Sequence, residues 1–137
     1  MEKKYINRYR SFCSSLSGLE QLRGRDTEDE FVISGAVQKF SLTLDISWKV
    51  MKDILLNYHK LSDFAAGSPR ETLRKAFEVG LIDDDIWMHM LDDRNNLTHD
   101  YDGRLAKTAV ITIRDEYLPV FEQFRETAGK YINQMGM

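Results

Sequence analysis

Ile33, Val37, Phe40, Leu44, Trp48, Met51, Leu55 and Tyr58 recur at steps of three and four residues, the period of one face of an α-helix. Asp26 or Thr27 can cap this segment, and Glu28, Asp29 and Glu30 place negative charge on its N-terminal dipole. Running to Asn57, the helix is ~45 Å long at ~1.5 Å per residue. A single helix cannot bury such a stripe on itself. It must be the spine of an elongated bundle or one face of a dimer.

The other segments carry the same period. Tyr5, Tyr9, Phe12, Leu16 and Leu19 form one stripe of a helix over about residues 3–23. Ser68-Pro-Arg-Glu71 reads as a capping box with proline in the first turn, opening a short helix that stops where Gly80 can turn left-handed. Asp83 or Asp84 caps a fourth helix carrying Trp87, Met90, Leu91 and Arg94. Asp102-Gly103 breaks the chain, and a last helix from about Arg104 turns Ala106, Val110, Ile113, Tyr117, Phe121 and Phe124 inward. Pro119 interrupts that pattern and should kink the helix near Asp115 or Glu116, with fraying expected after Lys130. No stretch alternates as a strand does. The expected fold is all-α: an up-and-down bundle of four long helices plus a short connecting helix, as one domain over residues 1–137.

Composition narrows the function. The net charge of −3 argues against a broad basic surface for RNA or DNA, so any nucleic-acid contact must be local. Lys3, Lys4, Arg8 and Arg10 make a modest basic start, best read as a solvated helix face. Cys13 is the only cysteine, which excludes an internal disulfide and a cysteine-rich zinc site; a buried thiol in a reducing cytoplasm fits. The mixed polar and apolar start gives no sign of a cleavable leader, and no apolar run approaches the ~20 residues of a membrane-spanning helix.

The run Arg94-Asn-Asn-Leu-Thr-His99-Asp-Tyr101 concentrates the chemistry. A guanidinium offers paired, fixed donors to a phosphorane-like transition state, and an imidazole transfers protons near neutrality. If the fourth helix persists, Arg94 and Tyr101 share a stripe with Met90 and Leu97, while Asp92, Asn96 and His99 form the neighbouring one. Arg94 and His99 then lie about 140° apart on the 3.6-residue period, and diverge unless the helix ends there or the arginine folds across. Cleavage of RNA through its own 2′-hydroxyl needs both a base and an acid, and one His99 per chain supplies only one. By residue type alone, an Arg-x4-His pair at a helix end is more often a surface ion pair, and Tyr101 a packing residue.

Arg94-x4-His99-x-Tyr101 resembles the R-x4-H-x-Y signature of HepT-type HEPN proteins, also described as nucleotidyltransferase substrate-binding proteins. The similarity extends over about residues 38–124. Phe40–Leu55 (FSLTLDISWKVMKDIL), Ser68-Pro-Arg-Glu71, Ala76-Phe77, Gly80-Leu81-Ile82-Asp83, Trp87, Met90-Leu91 and Tyr117-Leu-Pro119 all follow the family's habit. Ser41 departs from it, standing where an acidic residue is expected. The resemblance implies a helical homodimer whose Arg94 and His99 from both chains meet in one cleft, cleaving RNA without metal as a toxin, with tRNA as one candidate target. It implies an MntA-type nucleotidyltransferase antitoxin that uses its own ATP and magnesium to transfer AMP onto Tyr101. No phosphate-binding glycine loop or nucleotidyltransferase carboxylate set occurs in this chain, so no cofactor is expected here. Asn95 or Asp92 would support Arg94 and His99, and a salt bridge from Asp92 or Asp93 to Arg94 is the default expectation. The alternative is a non-catalytic subunit that docks onto a small nucleotidyltransferase.

Of the remaining residues, His59 reads as a dipole partner or surface residue at a helix end, and His89 as structural. Trp48 and Trp87 are expected in the core or a dimer seam.

Overall fold

The computed structural model describes residues 3–61 and 68–136, and among them the chain is helical throughout with no strand. Six α-helices follow one another: α1 (Lys4–Glu20), α2 (Glu30–Asn57), α3 (Pro69–Glu78), α4 (Ile86–Thr98), α5 (Arg104–Thr112) and α6 (Leu118–Met135). A 3₁₀ turn (Gln21–Gly24) extends α1, and a π turn (Ile113–Tyr117) joins α5 to α6 in one helical run. Four long helical segments and the short α3 therefore make the expected all-α bundle. Met1 and Glu2, on which part of the leader reading rests, lie outside the described residues.

Cross-helix pairs give the directions. Arg8 meets Asp53 and Ser15 meets Thr43, so α1 and α2 run antiparallel. Tyr5 bonds the carbonyl of Met135 and Arg23 bonds Glu122, so α1 and α6 are antiparallel too. Phe40 contacts Tyr117 and Phe121 while Tyr58 contacts Tyr131, which makes α2 and α6 parallel. All five other helices pack on α2. Its buried face is Ile33, Ala36, Phe40, Thr43, Leu44, Ser47, Val50, Met51, Ile54 and Leu55. Val37 and Trp48 are only half-buried and Tyr58 is exposed, because the stripe is wider than the apolar residues and includes Ala36, Thr43 and Ser47. The two buried hydroxyls cost little: each donates within its own helix, to the carbonyls of Lys39 and Leu44.

The cap of α2 is Asp29, whose carboxylate accepts from the Phe31 and Val32 amides; Asp26 caps only the preceding turn through Glu28. Ser68 caps α3 by accepting from the Glu71 amide, with Pro69 at the first position. The Glu71 carboxylate, which a capping box would turn back to the start of the helix, accepts from Arg74. Asp84 accepts from Ile86 at the start of α4. Gly80 and Gly103 both hold positive φ, +80° and +75°, at the two breaks where the sequence asks for it.

Pro119 cannot donate to the carbonyl four residues back, and its ring crowds that carbonyl. The chain answers by widening one turn: Leu118 donates five residues back to Ile113. The expected kink is thus a π turn, and helix continues to Met135 rather than fraying after Lys130. An aromatic centre closes around it. Phe12 meets Phe124 edge-on at 5.5 Å, Trp87 meets Phe121 at 5.6 Å, and Phe40 stacks on Tyr117 at 5.4 Å. Cys13 is half-buried rather than buried, since Phe12 beside it takes the inward position on α1. His59 packs its ring on Tyr58 and Tyr131, with Nε2 buried, rather than standing at the surface.

The widened turn lets the Tyr117 hydroxyl donate to the Asp93 carboxylate on α4. Burial first, then that carboxylate, raises the phenol above its usual range. Tyr117→Phe removes the donor and leaves a partly buried carboxylate oxygen without it. The expected loss is about 1–3 kcal/mol of unfolding free energy in urea titration.

Candidate functional site

Residues 92, 93 and 94 are consecutive on α4, so their side chains leave the helix at ~100° intervals. Each is held by a different neighbour. Asp92 accepts from Arg70 on α3 at 2.9 Å, Asp93 accepts from Tyr117 in the π turn, and Arg94 pairs with Asp45 on α2. The end of α4 is thereby tied to three elements within one turn. This disposes of the expected ion pair between Arg94 and the acids before it. Both carboxylates are turned elsewhere.

The Arg94 side chain is 19% exposed, against 39% for Asp45. Its Nη1 donates to Asp45 Oδ1 and its Nε donates to Asn95 Oδ1 at 3.1 Å. Nη2 makes no hydrogen bond among the described residues. A guanidinium gripped on two nitrogens keeps its plane fixed and offers the third to an incoming oxygen anion. Asn95 thus touches Arg94. Asp92 touches neither Arg94 nor His99, because Arg70 holds it.

Asp45 is a site residue that sequence reasoning misses. The signal for it is slight: it stands one helical turn beyond Ser41, on the same face, where an acid is otherwise missing. Only the crossing of α4 over α2 shows that this carboxylate, among the many acids of the chain, faces Arg94.

Helix α4 ends at Thr98, directly before His99. His99 is the C-cap, with its amide donating to the Asn96 carbonyl at 3.1 Å, and its side chain is exposed. No hydrogen bond or ion pair joins Arg94 to His99 among the described residues. Tyr101 is 92% exposed, so it leaves the stripe of Met90, Arg94 and Leu97 and does not pack. The turn at His99 has taken it off the helix. Its ring lies 6.5 Å from the His99 ring, edge-on. Beside them opens a groove of about 450 Å³ whose walls include Ile33, Val37, Leu97, Tyr101 and Lys107. Asn96 and His89 are exposed, and among the described residues neither side chain hydrogen-bonds the His99 imidazole. Among the described residues no cluster of three or more His, Cys, Asp or Glu side chains could hold a metal ion, and no helix is long and apolar enough to cross a membrane.

Chemically, the arrangement offers a fixed guanidinium, an accessible imidazole at the following helix end and an accessible phenol two residues on. A chain with this geometry has known relatives. The sequence pattern of a family described as nucleotidyltransferase substrate binding protein like matches residues 6–129. A Haemophilus influenzae protein named Probable ribonuclease HepT is 32% identical over 100 residues, which cover 69% of this chain and 68% of that one. A crystal structure of a Thermus thermophilus protein superposes with a TM-score of 0.70 at 26% identity, over 88% of this chain and 98% of that one.

Asp45→Asn keeps an acceptor but removes the charge that grips Nη1. With both partners partly solvated, the expected loss is about 1 kcal/mol in urea denaturation. Unchanged stability would mean that the pair contributes nothing to holding Arg94.

Proposed function

Since the chain belongs to the nucleotidyltransferase substrate-binding-protein-like family, we propose that it is an endoribonuclease toxin of the HepT kind, acting as a homodimer on RNA without a metal. The observation that carries this reading is the guanidinium of Arg94, held by Asp45 and Asn95 with Nη2 left over, ahead of an exposed His99. The relative named Probable ribonuclease HepT supports the reaction class.

In the proposed reaction the 2′-hydroxyl of RNA loses its proton to an imidazole and attacks the adjacent phosphorus. The bond from phosphorus to the 5′-oxygen breaks, and that oxygen takes a proton from an acid. A 2′,3′-cyclic phosphate and a 5′-hydroxyl result. Arg94 stabilises the extra negative charge as the phosphorane forms. His99 transfers one proton, and His99 of a second copy transfers the other. Asn95 supports Arg94. Asp92, held by Arg70, is left with no direct part.

Control of the toxin is proposed to come from a partner nucleotidyltransferase of the MntA type. The Tyr101 oxygen would attack the α-phosphorus of the partner's ATP, giving its phenolic proton to a base of the partner or to water, and pyrophosphate would leave; the magnesium, held by the partner, would supply charge neutralisation there. Exposure of the phenol suits such an attack. The product carries a bulky anion two residues from His99, where it obstructs the approach of RNA and competes for arginine donors. A second reading draws on the family's description alone: a non-catalytic subunit that presents a substrate, or Tyr101 itself, to the nucleotidyltransferase.

Purified wild-type protein is expected to cleave RNA at least ~100-fold faster than Arg94→Ala or His99→Ala. Equal rates in all three leave only the second reading. Expressed alone, wild type is expected to arrest growth and His99→Ala to be tolerated. After co-expression with the nucleotidyltransferase, mass spectrometry should find AMP on wild type and none on Tyr101→Phe; equal labelling moves the modification to another residue.

A further inference from the structure

His99 and Tyr101 share a peculiarity. Both side chains are exposed, and neither makes a hydrogen bond or an ion pair among the described residues; their rings meet only each other. Nothing at the side-chain level therefore sets where the imidazole and the phenol stand. Their placement has to come from the backbone.

That backbone is organised by the residue between them. Asp100 uses all of its polar groups. Its amide donates to the Leu97 carbonyl at 3.2 Å, and its carbonyl accepts from the Gly103 amide at 3.2 Å. Its carboxylate spans the break between helices: Oδ1 accepts from the Leu105 amide at 3.1 Å and Oδ2 from the Ala106 amide at 2.9 Å. These two amides are the second and third donors of α5, the pair that an N-cap side chain normally satisfies. The N-cap of α5 is Gly103, at φ +75°, and has no side chain to offer. The cap is supplied from three residues further back, across the turn that carries Tyr101.

We propose that Asp100 is the positioning residue of this site: by capping α5 with both carboxylate oxygens it locks the His99–Gly103 turn and so fixes the points from which His99 and Tyr101 project. An ordinary cap stabilises the helix it begins. This one also ties the end of α4 to the start of α5, and the two tied ends carry the groups that proton transfer and modification use. Asp102 is the natural contrast. It flanks Tyr101 on the other side and bonds the amide and side chain of Arg104, two residues on at the first position of α5, so it does not span the turn.

The consequence for activity rests on the assignment of His99 as the proton-transfer group; the ordering of the turn does not. Two readouts keep these apart. In the first, heteronuclear NOEs of the backbone amides of residues 99–102 are compared among wild type, Asp100→Ala, Asp100→Asn and Asp102→Ala. Wild type and Asp102→Ala should show a turn as ordered as α4. Asp100→Ala should lose that order, and Asp100→Asn, keeping one acceptor oxygen, should fall between. A turn that stays ordered in Asp100→Ala overturns the proposal. In the second, RNA cleavage by Asp100→Ala should lose roughly tenfold or more in kcat with KM changed less than about twofold, as misplacement of a reacting group predicts. Asp102→Ala should stay within about twofold of wild type in both. An unchanged kcat in Asp100→Ala, or an equal loss in Asp102→Ala, also overturns it. Should wild type cleave no RNA at all, the ribonuclease reading falls and the NOE comparison still decides the role of Asp100.

Discussion

The burial of one face of α2 is the interaction on which the rest of the molecule depends. A helix of 28 residues, about 42 Å long at ~1.5 Å per residue, offers more apolar surface than any single neighbour can cover. All five other helices take a share of it. Burying a Leu, Ile or Phe side chain is worth roughly 1.5–3 kcal/mol, so the stripe from Ile33 to Leu55 supplies most of what orders the shorter helices. Helix α3, at ten residues, and α5, at nine, are too short to persist alone and owe their existence to this contact. The same stripe brings Asp45, on its edge, under α4. Spine and site are thus two consequences of one helix.

Around the site, apolar packing gives way to single polar contacts that decide direction. Asp92, Asp93 and Arg94 each reach a different element, so α4 can neither roll nor slide without breaking one of them. The two ion pairs add little net stability at half-exposed positions. Their value lies in orientation. The π turn belongs to the same scheme: it accommodates Pro119 and in doing so carries Tyr117 to Asp93. Past Thr98 the Asp100 carboxylate accepts from the Leu105 and Ala106 amides, across the turn that carries Tyr101. The end of α4 is held by side-chain pairs to three other elements, and the turn after it by a cap.

Much of this is legible in the sequence. Apolar periodicity locates the long helices, because a 3.6-residue repeat of large side chains has few other ways to be buried, and the Ser68 cap with the Gly80 break locates α3. Gly80 and Gly103 mark breaks, as residues free to take positive φ do, and Pro119 marks the distortion. The motif reads as eight consecutive residues, which run across the end of α4 and the turn after it. What fails are statements about partners. The sequence points to Asp26 or Thr27 as the cap of α2 and Asp29 is the cap, because several acids in a row make equally good caps in sequence. It points to Asp92 or Asp93 as the partner of Arg94, since nearness along the chain is the only guide; Asp45, 49 residues away, holds it.

By itself the sequence determined the all-α class, the course of the helices, the two glycine breaks, the proline distortion and the family signature from Arg94 to Tyr101. These depend on local period, on φ preferences and on residue identity, all of which act within a few positions. Only the tertiary structure decided which carboxylate grips Arg94, that Asp92 is engaged by α3, and that Tyr101 stands in solvent rather than in the core. The reason is that a helix presents side chains in every direction, and which one meets a partner depends on how neighbouring helices cross it. Asp100 is engaged locally instead, its carboxylate accepting from the Leu105 and Ala106 amides five and six residues on, a partnership that several nearby acids could have made in sequence.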